Sequence, residues 1–205
     1  MAHKVALLQR SNYTMSETQR LDLEAIVAAI NAGTRVLDLG CGDGLLLAKL
    51  VTEKQVVARG IELSEIAVRA CIGRGLSVRQ GNIEEGLADY PDNAFDYVLL
   101  SQTIAYLNRP DAVLREMLRV GKRAVISFDN AGYWRERLRM LSGHGYGTLL
   151  GSGEPSVRAI TLAQFESFVR TIDARVDRNE YITNYRHVGV LPNLLAQTAI
   201  YTLIV

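Results

Sequence analysis

Histidine and cysteine are scarce, with three and two in 205 residues. Cys41 and Cys71 are too few for a disulfide framework. Neither they nor the scattered His3, His144 and His187 show metal-ligand spacing, so a small stapled scaffold and a zinc module are both excluded. Free thiols of this kind suit a reduced compartment. An excess of charge of one sign is also missing: 23 basic against 22 acidic residues leave a formal charge of +1. That gives no electrostatic footprint for nucleic acid or for an anionic membrane. No apolar run is long enough to span a bilayer, and the segment MAHKVALLQRSNYTMSETQR lacks the apolar centre of a secretory signal, so a cytoplasmic location is expected. Internal repeats and low-complexity tracts are absent as well. What is present is ordinary globular material, 48% hydrophobic and 22% charged, in a length that fits one domain.

The apolar pattern alternates between two periods. Residues 18–30 recur at helical spacing and stop at Asn31-Ala32-Gly33. Residues 35–39 read as a strand and 45–51 as a helix. Residues 55–62 are a second strand, Ser64 caps a helix through Cys71, and 76–80 form a third strand. Residues 82–91 are a polar connection. FDYVLLS (95–101) is a fourth strand, Pro110 opens a helix to Val120, and 122–128 are a fifth strand. Such alternation predicts a mostly parallel sheet with helices on both faces, and the continuous apolar runs VLDL, YVLL and AVISF fit strands buried on both sides. After residue 130 the rhythm changes. A basic amphipathic helix is expected over 131–141, a glycine-rich mobile insert over 142–160, and a helix over 161–172 capped by Thr161. Strands are expected near 176–183 and 198–205, with Pro192 between. Residues 1–16 read as a loose arm on this single domain.

The first strand ends in DLGCGDG (38–44), where three glycines stand at alternate positions. Glycines let the backbone bend sharply and let a ligand approach with no side chain between, and a helix terminus follows at the same place. A dinucleotide turn needs G-x-G-x-x-G. Here the spacing is G-x-G-x-G, and Leu45 stands where the third dinucleotide glycine belongs. Asp38 inside the turn repels a pyrophosphate and attracts an ammonium group. Glu62, eighteen residues after Gly44, ends the second strand and suits the two hydroxyls of a ribose. Asn82 and Ile83, after the third strand, suit the edge and face of an adenine. Together these strand ends fit S-adenosylmethionine. The bland readings are a turn without a ligand, Asp38 as a local cap, Cys41 as a small filler and Cys71 as core.

At these residues the chain resembles the class I S-adenosylmethionine-dependent methyltransferases, and more closely the methionine biosynthesis protein MetW family. The residues that carry the resemblance are VLDLGCGDGLLL, GIELS, QGNIEEGL, FDYVLLSQT, VLREMLRVGKRAVISF, NAGYWRERL and VLPNLLAQTAIY. The resemblance implies an α/β Rossmann-like sheet of seven strands, the last antiparallel. It implies Asp38, Gly40, Gly42 and Gly44 around the methionine end of the cofactor, Glu62 on ribose, and residues near Asn82 and Ile83 at adenine. Cys41 and Leu63, beside these, and Ser101 and Gln102, which follow the fourth strand and face the methyl, complete the expected cofactor-binding set. The resemblance implies S-adenosylhomocysteine as product, a place in methionine biosynthesis, and work beside a homoserine O-acyltransferase. Two positions depart from the family pattern: Asn82 replaces an aspartate, and Asp129 in FDNAGYW replaces a proline.

Methyl transfer is displacement at a sulfonium, whose leaving group needs little help, so a catalytic base is optional and none is advertised. Ser101, Gln102 and Thr103 either orient an acceptor or satisfy the end of the fourth strand. Tyr106 borders them. The run YWRERLRML (133–141) has two readings: a partner surface, or a helix that packs Trp134, Leu138 and Leu141 on the sheet with its arginines in water. Three functions follow from these readings. They are an active methyltransferase, a cofactor-sensing partner of the acyltransferase, and a nicotinamide enzyme, the last disfavoured by the glycine spacing.

Overall fold

The computed structural model describes residues 21–143, 157–183 and 186–205. Its elements run α1 (Leu21–Ala29), β1 (Arg35–Leu39), α2 (Leu45–Lys54), β2 (Val57–Glu62), α3 (Glu65–Gly73) and β3 (Val78–Gln80), then β4 (Tyr97–Ser101), α4 (Pro110–Val120), β5 (Ala124–Asp129) and α5 (Trp134–Leu141). They close with α6 (Leu162–Thr171), β6 (Arg175–Thr183), β7 (Arg186–His187), α7 (Pro192–Leu195) and β8 (Thr198–Ile204). Among the described residues one sheet joins all eight strands in the order β3-β2-β1-β4-β5-β8-β6-β7. Strands β1 to β5 are parallel, and β8 inserts antiparallel between β5 and β6. The expected seven strands become eight because Arg186 and His187 pair with the end of β6. A two-residue strand carries no alternation that a sequence pattern could reveal.

Helix boundaries follow local chemistry. The Ser64 hydroxyl accepts the Ala67 N–H at the start of α3. Pro110 occupies the first turn of α4, where its missing N–H is no loss. Thr161 and Gln164 form a reciprocal capping box on α6. Helix α5 starts later than expected, at Trp134, because Tyr133 has an extended ψ of 137° and the N–H groups of Gly132 and Tyr133 are held in a turn by Asn130.

Two faces of the sheet collect two cores. Leu37, Leu39, Ile61, Val98, Leu100, Ile126 and Phe128 pack with α4 and α6, while Val36, Tyr97, Leu99 and Val125 pack with α1 and α2. Side chains alternate along a strand, so Asp38, Glu62, Ser101, Ser127 and Asp129 all point to the α1/α2 side. The strand order reverses between β1 and β4, where the chain has gone out through β2 and β3 and returns. A crevice beyond the carboxyl ends of the strands at such a reversal is where open parallel sheets take ligands. The geometry therefore gathers five polar side chains at one edge of one face.

Of the stretch 142–160, residues 144–156 lie outside the described residues, as does the 1–16 arm with His3; His144 falls in the former. Residues 157–160 are tied down: the Arg158 N–H donates to the Ala105 carbonyl and its guanidinium to the carbonyls of Leu107 and Asn108. The Ala131 N–H donates to the Ile160 carbonyl at 2.8 Å.

Candidate functional site: the glycine turn after the first strand

All three glycines of the turn sit at positive φ: Gly40 at 72°, Gly42 at 57° and Gly44 at 81°. Their surroundings separate their roles. A Cβ on Gly40 would lie 2.8 Å from the Thr103 Oγ1, and one on Gly44 would lie 2.8 Å from the Cys71 Sγ and 2.5 Å from the Leu76 Cδ1. At those two positions a side chain would crowd its neighbours as well as strain the backbone. A Cβ on Gly42 would meet nothing within 4 Å. Gly42 is thus the point at which the turn faces open space.

Four of the five N–H groups over residues 40–44 are already committed. Gly40 and Cys41 both donate to the Ile61 carbonyl, Gly44 donates to the Cys41 carbonyl, and Gly42 donates to the Glu62 Oε2 at 2.9 Å. A phosphate cradle needs such groups pointing outward. This arrangement agrees with the glycine spacing in disfavouring a pyrophosphate.

Two carboxylates lie below the turn, and both are 1% exposed. Glu62 is well partnered, because its Oε2 accepts from Gly42 and its Oε1 accepts from the Ser64 N–H at 2.8 Å. It clasps the glycine turn to the start of α3, a role the sequence reading missed. The structure does not bring Glu62 to the surface, although each oxygen retains a lone pair. Asp38 is the opposite case. Its Oδ1 is buried with no hydrogen-bond partner. Burial, and secondly the Glu62 charge, push its carboxyl up to about 7. A buried acceptor without a donor is costly unless something supplies one, so this atom fits a cationic, hydrogen-bonding ligand group.

The other expected residues are placed as follows. Leu63 is half exposed beside Glu62. The Asn82 carboxamide oxygen accepts the Glu84 N–H at 3.0 Å and caps the short turn over Ile83–Glu85. Ile83 is buried among the core residues rather than laid on the surface. Cys41 and Cys71 share a small buried cluster with Leu47, and the Cys71 thiol donates to the Gly42 carbonyl at 3.2 Å. Burial raises both thiols, so neither is a nucleophile. The structure brings Asp38, Gly42 and Glu62 together, and it adds Thr103 against Gly40.

The ends of β4 and β5 form a second polar cluster. The Ser127 hydroxyl donates to the Ser101 Oγ at 3.2 Å. Gln102 holds a left-handed backbone (φ 54°), and its N–H donates to the Ser127 carbonyl at 3.0 Å. Its side-chain amide reaches the Asp129 Oδ1 at 3.5 Å, and the Thr198 hydroxyl donates to that same oxygen at 2.9 Å. Asp129 thus links β4, β5 and β8, which explains how a charge stands where proline was expected. Asn130, unremarked in the sequence, is 2% exposed and bonds to the carbonyls of Asn193 and Ala196. Tyr106 is half exposed on the turn after β4, and His187 is exposed on β7.

Comparison with known proteins agrees with this architecture. A SAM-dependent methyltransferase from Archaeoglobus fulgidus superposes with a TM-score of 0.68 at 17% identity, over 89% of this chain and 91% of that one. The (4+2)-cyclase SpnF superposes with a TM-score of 0.65 at 19% identity, over 89% and 80%. These likenesses show the class I methyltransferase fold, and the cyclase shows that the fold hosts other chemistry. The Bifunctional methionine biosynthesis protein MetXA/MetW of Rhodopirellula baltica is 38% identical over 126 residues, which is 57% of this chain and 20% of that protein. This chain spans less than half the length of the first curated relatives it matches. The family model described as Methionine biosynthesis protein MetW matches residues 20–203, from α1 to the end of β8. On that match, the chain belongs to the MetW family.

Proposed function

We propose that this chain binds S-adenosylmethionine at the turn after β1 and is a methyltransferase-like protein of methionine biosynthesis, with S-adenosylhomocysteine as product. The observation that carries the reading is the unpartnered, buried Asp38 Oδ1 beside Gly42, whose Cβ direction is open. A carboxylate in that position pairs with the ammonium of an amino-acid end, and an amino acid joined to a nucleoside is the ligand class that suits the remaining strand ends.

When bound, the cofactor supplies an activated methyl on a sulfonium. Asp38 would hold the ammonium. Glu62, buried beneath the turn, would offer ribose hydroxyls the lone pairs left over from Gly42 and Ser64, beside Leu63. Asn82, whose oxygen already caps Glu84, would border the adenine, with Ile83 behind it in the core. Ser101 and Gln102 stand at the end of β4, where they orient an acceptor and exclude water, which is most of what displacement at a sulfonium requires.

A second reading has its own support. The name of the Rhodopirellula relative joins MetXA and MetW in one polypeptide. A homoserine O-acyltransferase is therefore the proposed partner, and the chain would serve it as a cofactor-sensing subunit without turnover.

Calorimetric titration with S-adenosylmethionine, S-adenosylhomocysteine and NADH tests the binding step. Saturable binding of both adenosyl ligands, lost in Asp38→Asn and absent for NADH, is expected; no adenosyl binding overturns the reading. Turnover with a metabolite extract then separates the catalytic form from the sensing one.

A further inference from the structure

Helix α5 buries none of its side chains. Trp134 is 39% exposed, Leu138 54% and Leu141 83%. The packing of these residues against the sheet, one of the two readings of this helix, does not occur. Positions 134, 138 and 141 follow one stripe of a 3.6-residue helix. The stripe continues onto a second element, because Trp134 lines a shallow cavity of about 420 Å³ together with Tyr133, Arg135, Arg186, Val190 and Leu195. Val190 and Leu191 are 70% and 65% exposed. Leu191 sits at φ 46°, a left-handed conformation that a bulky residue seldom adopts. The fold holds an apolar side chain out in water on a strained backbone, and such strain clusters at functional contacts.

We propose that this face, α5 with residues 188–195, is the docking surface for the homoserine O-acyltransferase. The inference rests on the partner reading given above. The name of the Rhodopirellula relative joins MetXA and MetW in one polypeptide, and that pairing is the association carried over to this surface. The composition fits such a contact, since tryptophan, tyrosine and arginine dominate the energetics of protein interfaces. The Arg135 guanidinium lies 5.5 Å above the Trp134 ring, and among the described residues neither Arg135 nor Arg186 forms an ion pair. The complementary surface on the acyltransferase is therefore apolar at its centre and acidic at its rim. A partner seated here adjoins the end of β5, where Asp129 bonds to Gln102.

The test uses the whole chain and the homoserine O-acyltransferase of the same organism, with Kd measured by surface plasmon resonance. Leu138→Glu combined with Leu191→Glu should weaken binding by at least about 30-fold. Ile72→Glu, at a 59% exposed position on α3, should stay within about twofold of the unaltered chain. Thermal melts check that each variant is folded. If the unaltered chain binds and the double variant binds as tightly, the face is wrong and the partner stands. If the unaltered chain does not bind the acyltransferase, the partner reading falls and the face assignment falls with it. If the double variant abolishes self-association of this chain instead, the occupant is a second copy and the proposal is overturned.

Discussion

At the scale of single residues, Asp38 is the group whose environment and chemistry disagree most. Burial and the Glu62 charge hold its carboxyl at about 7, against an ordinary value near 3.8 in the unfolded chain. The folded state therefore keeps a proton that the unfolded state has released between pH 4 and 7. The stability from the protonated form is complete below pH 4 and is lost as pH rises through 7. Asp38→Asn removes this loss. Its advantage over the unaltered chain should grow by roughly 2–4 kcal/mol from pH 4 to pH 8, or roughly 5–10 °C in Tm, read from thermal melts at both pH values. The glycines make a second residue-scale prediction. Gly44→Ala combines a positive φ with overlap on Cys71 and Leu76 and should cost about 3 kcal/mol. Gly42→Ala meets no neighbour and should cost only about 1–2 kcal/mol of backbone strain while blocking the ligand. Urea unfolding and calorimetric titration on the same two proteins separate those effects. Equal stability losses would mean that packing does not divide the turn in this way.

Elements were legible in the sequence where a period and a boundary signal coincided. β1 and α4 match the expected 35–39 and 110–120, because continuous apolar runs and a proline at the first helical turn leave little freedom. The elements that escaped have no period to read. β7 is two residues long, and α7 is four residues opened by Pro192, a residue expected only to separate strands. The same limit applies to the site. Its glycines, Asp38 and Glu62 announce themselves by spacing, but the contacts of Thr103 with Gly40 and of Asp129 with Thr198 join residues 63 and 69 positions apart. No local pattern carries such pairs. Helix α6 tests how far a local signal sets stability. Its capping box holds the N-terminus of a helix that buries Leu162, Phe165 and Val169 beside Phe128 and Tyr201. Thr161→Ala should cost about 1 kcal/mol, seen as a lowered urea midpoint at unchanged slope. A changed slope would show that the cap governs more than its own helix turn.

For the whole molecule, the proposed binding mode sets the proton on Asp38 against a cationic ligand for one carboxylate, and so it links folding, binding and pH. The free protein is most stable when Asp38 is protonated, whereas the ammonium of an adenosyl ligand needs it ionised. With a carboxyl at about 7, one-site competition makes the apparent Kd roughly tenfold weaker at pH 6 than at pH 8. A ligand at one hundred times its Kd stabilises the folded state by about 2.7 kcal/mol. For a chain of this size that is roughly 5–10 °C in Tm. The same concentration at pH 6 is only about ten times the weakened Kd and should give about half that shift. S-adenosylhomocysteine carries the ammonium without the sulfonium charge, so a melt series with it at pH 6 and pH 8 isolates the Asp38 contact. A shift at pH 8 that halves at pH 6 is the expected result, with none from NADH at either pH. Equal shifts at both pH values would place the ammonium away from Asp38, and the cost of burying that carboxylate would then need another cause. No shift at either pH would leave the glycine turn as a packing device and the face around α5 as the part of the molecule that acts.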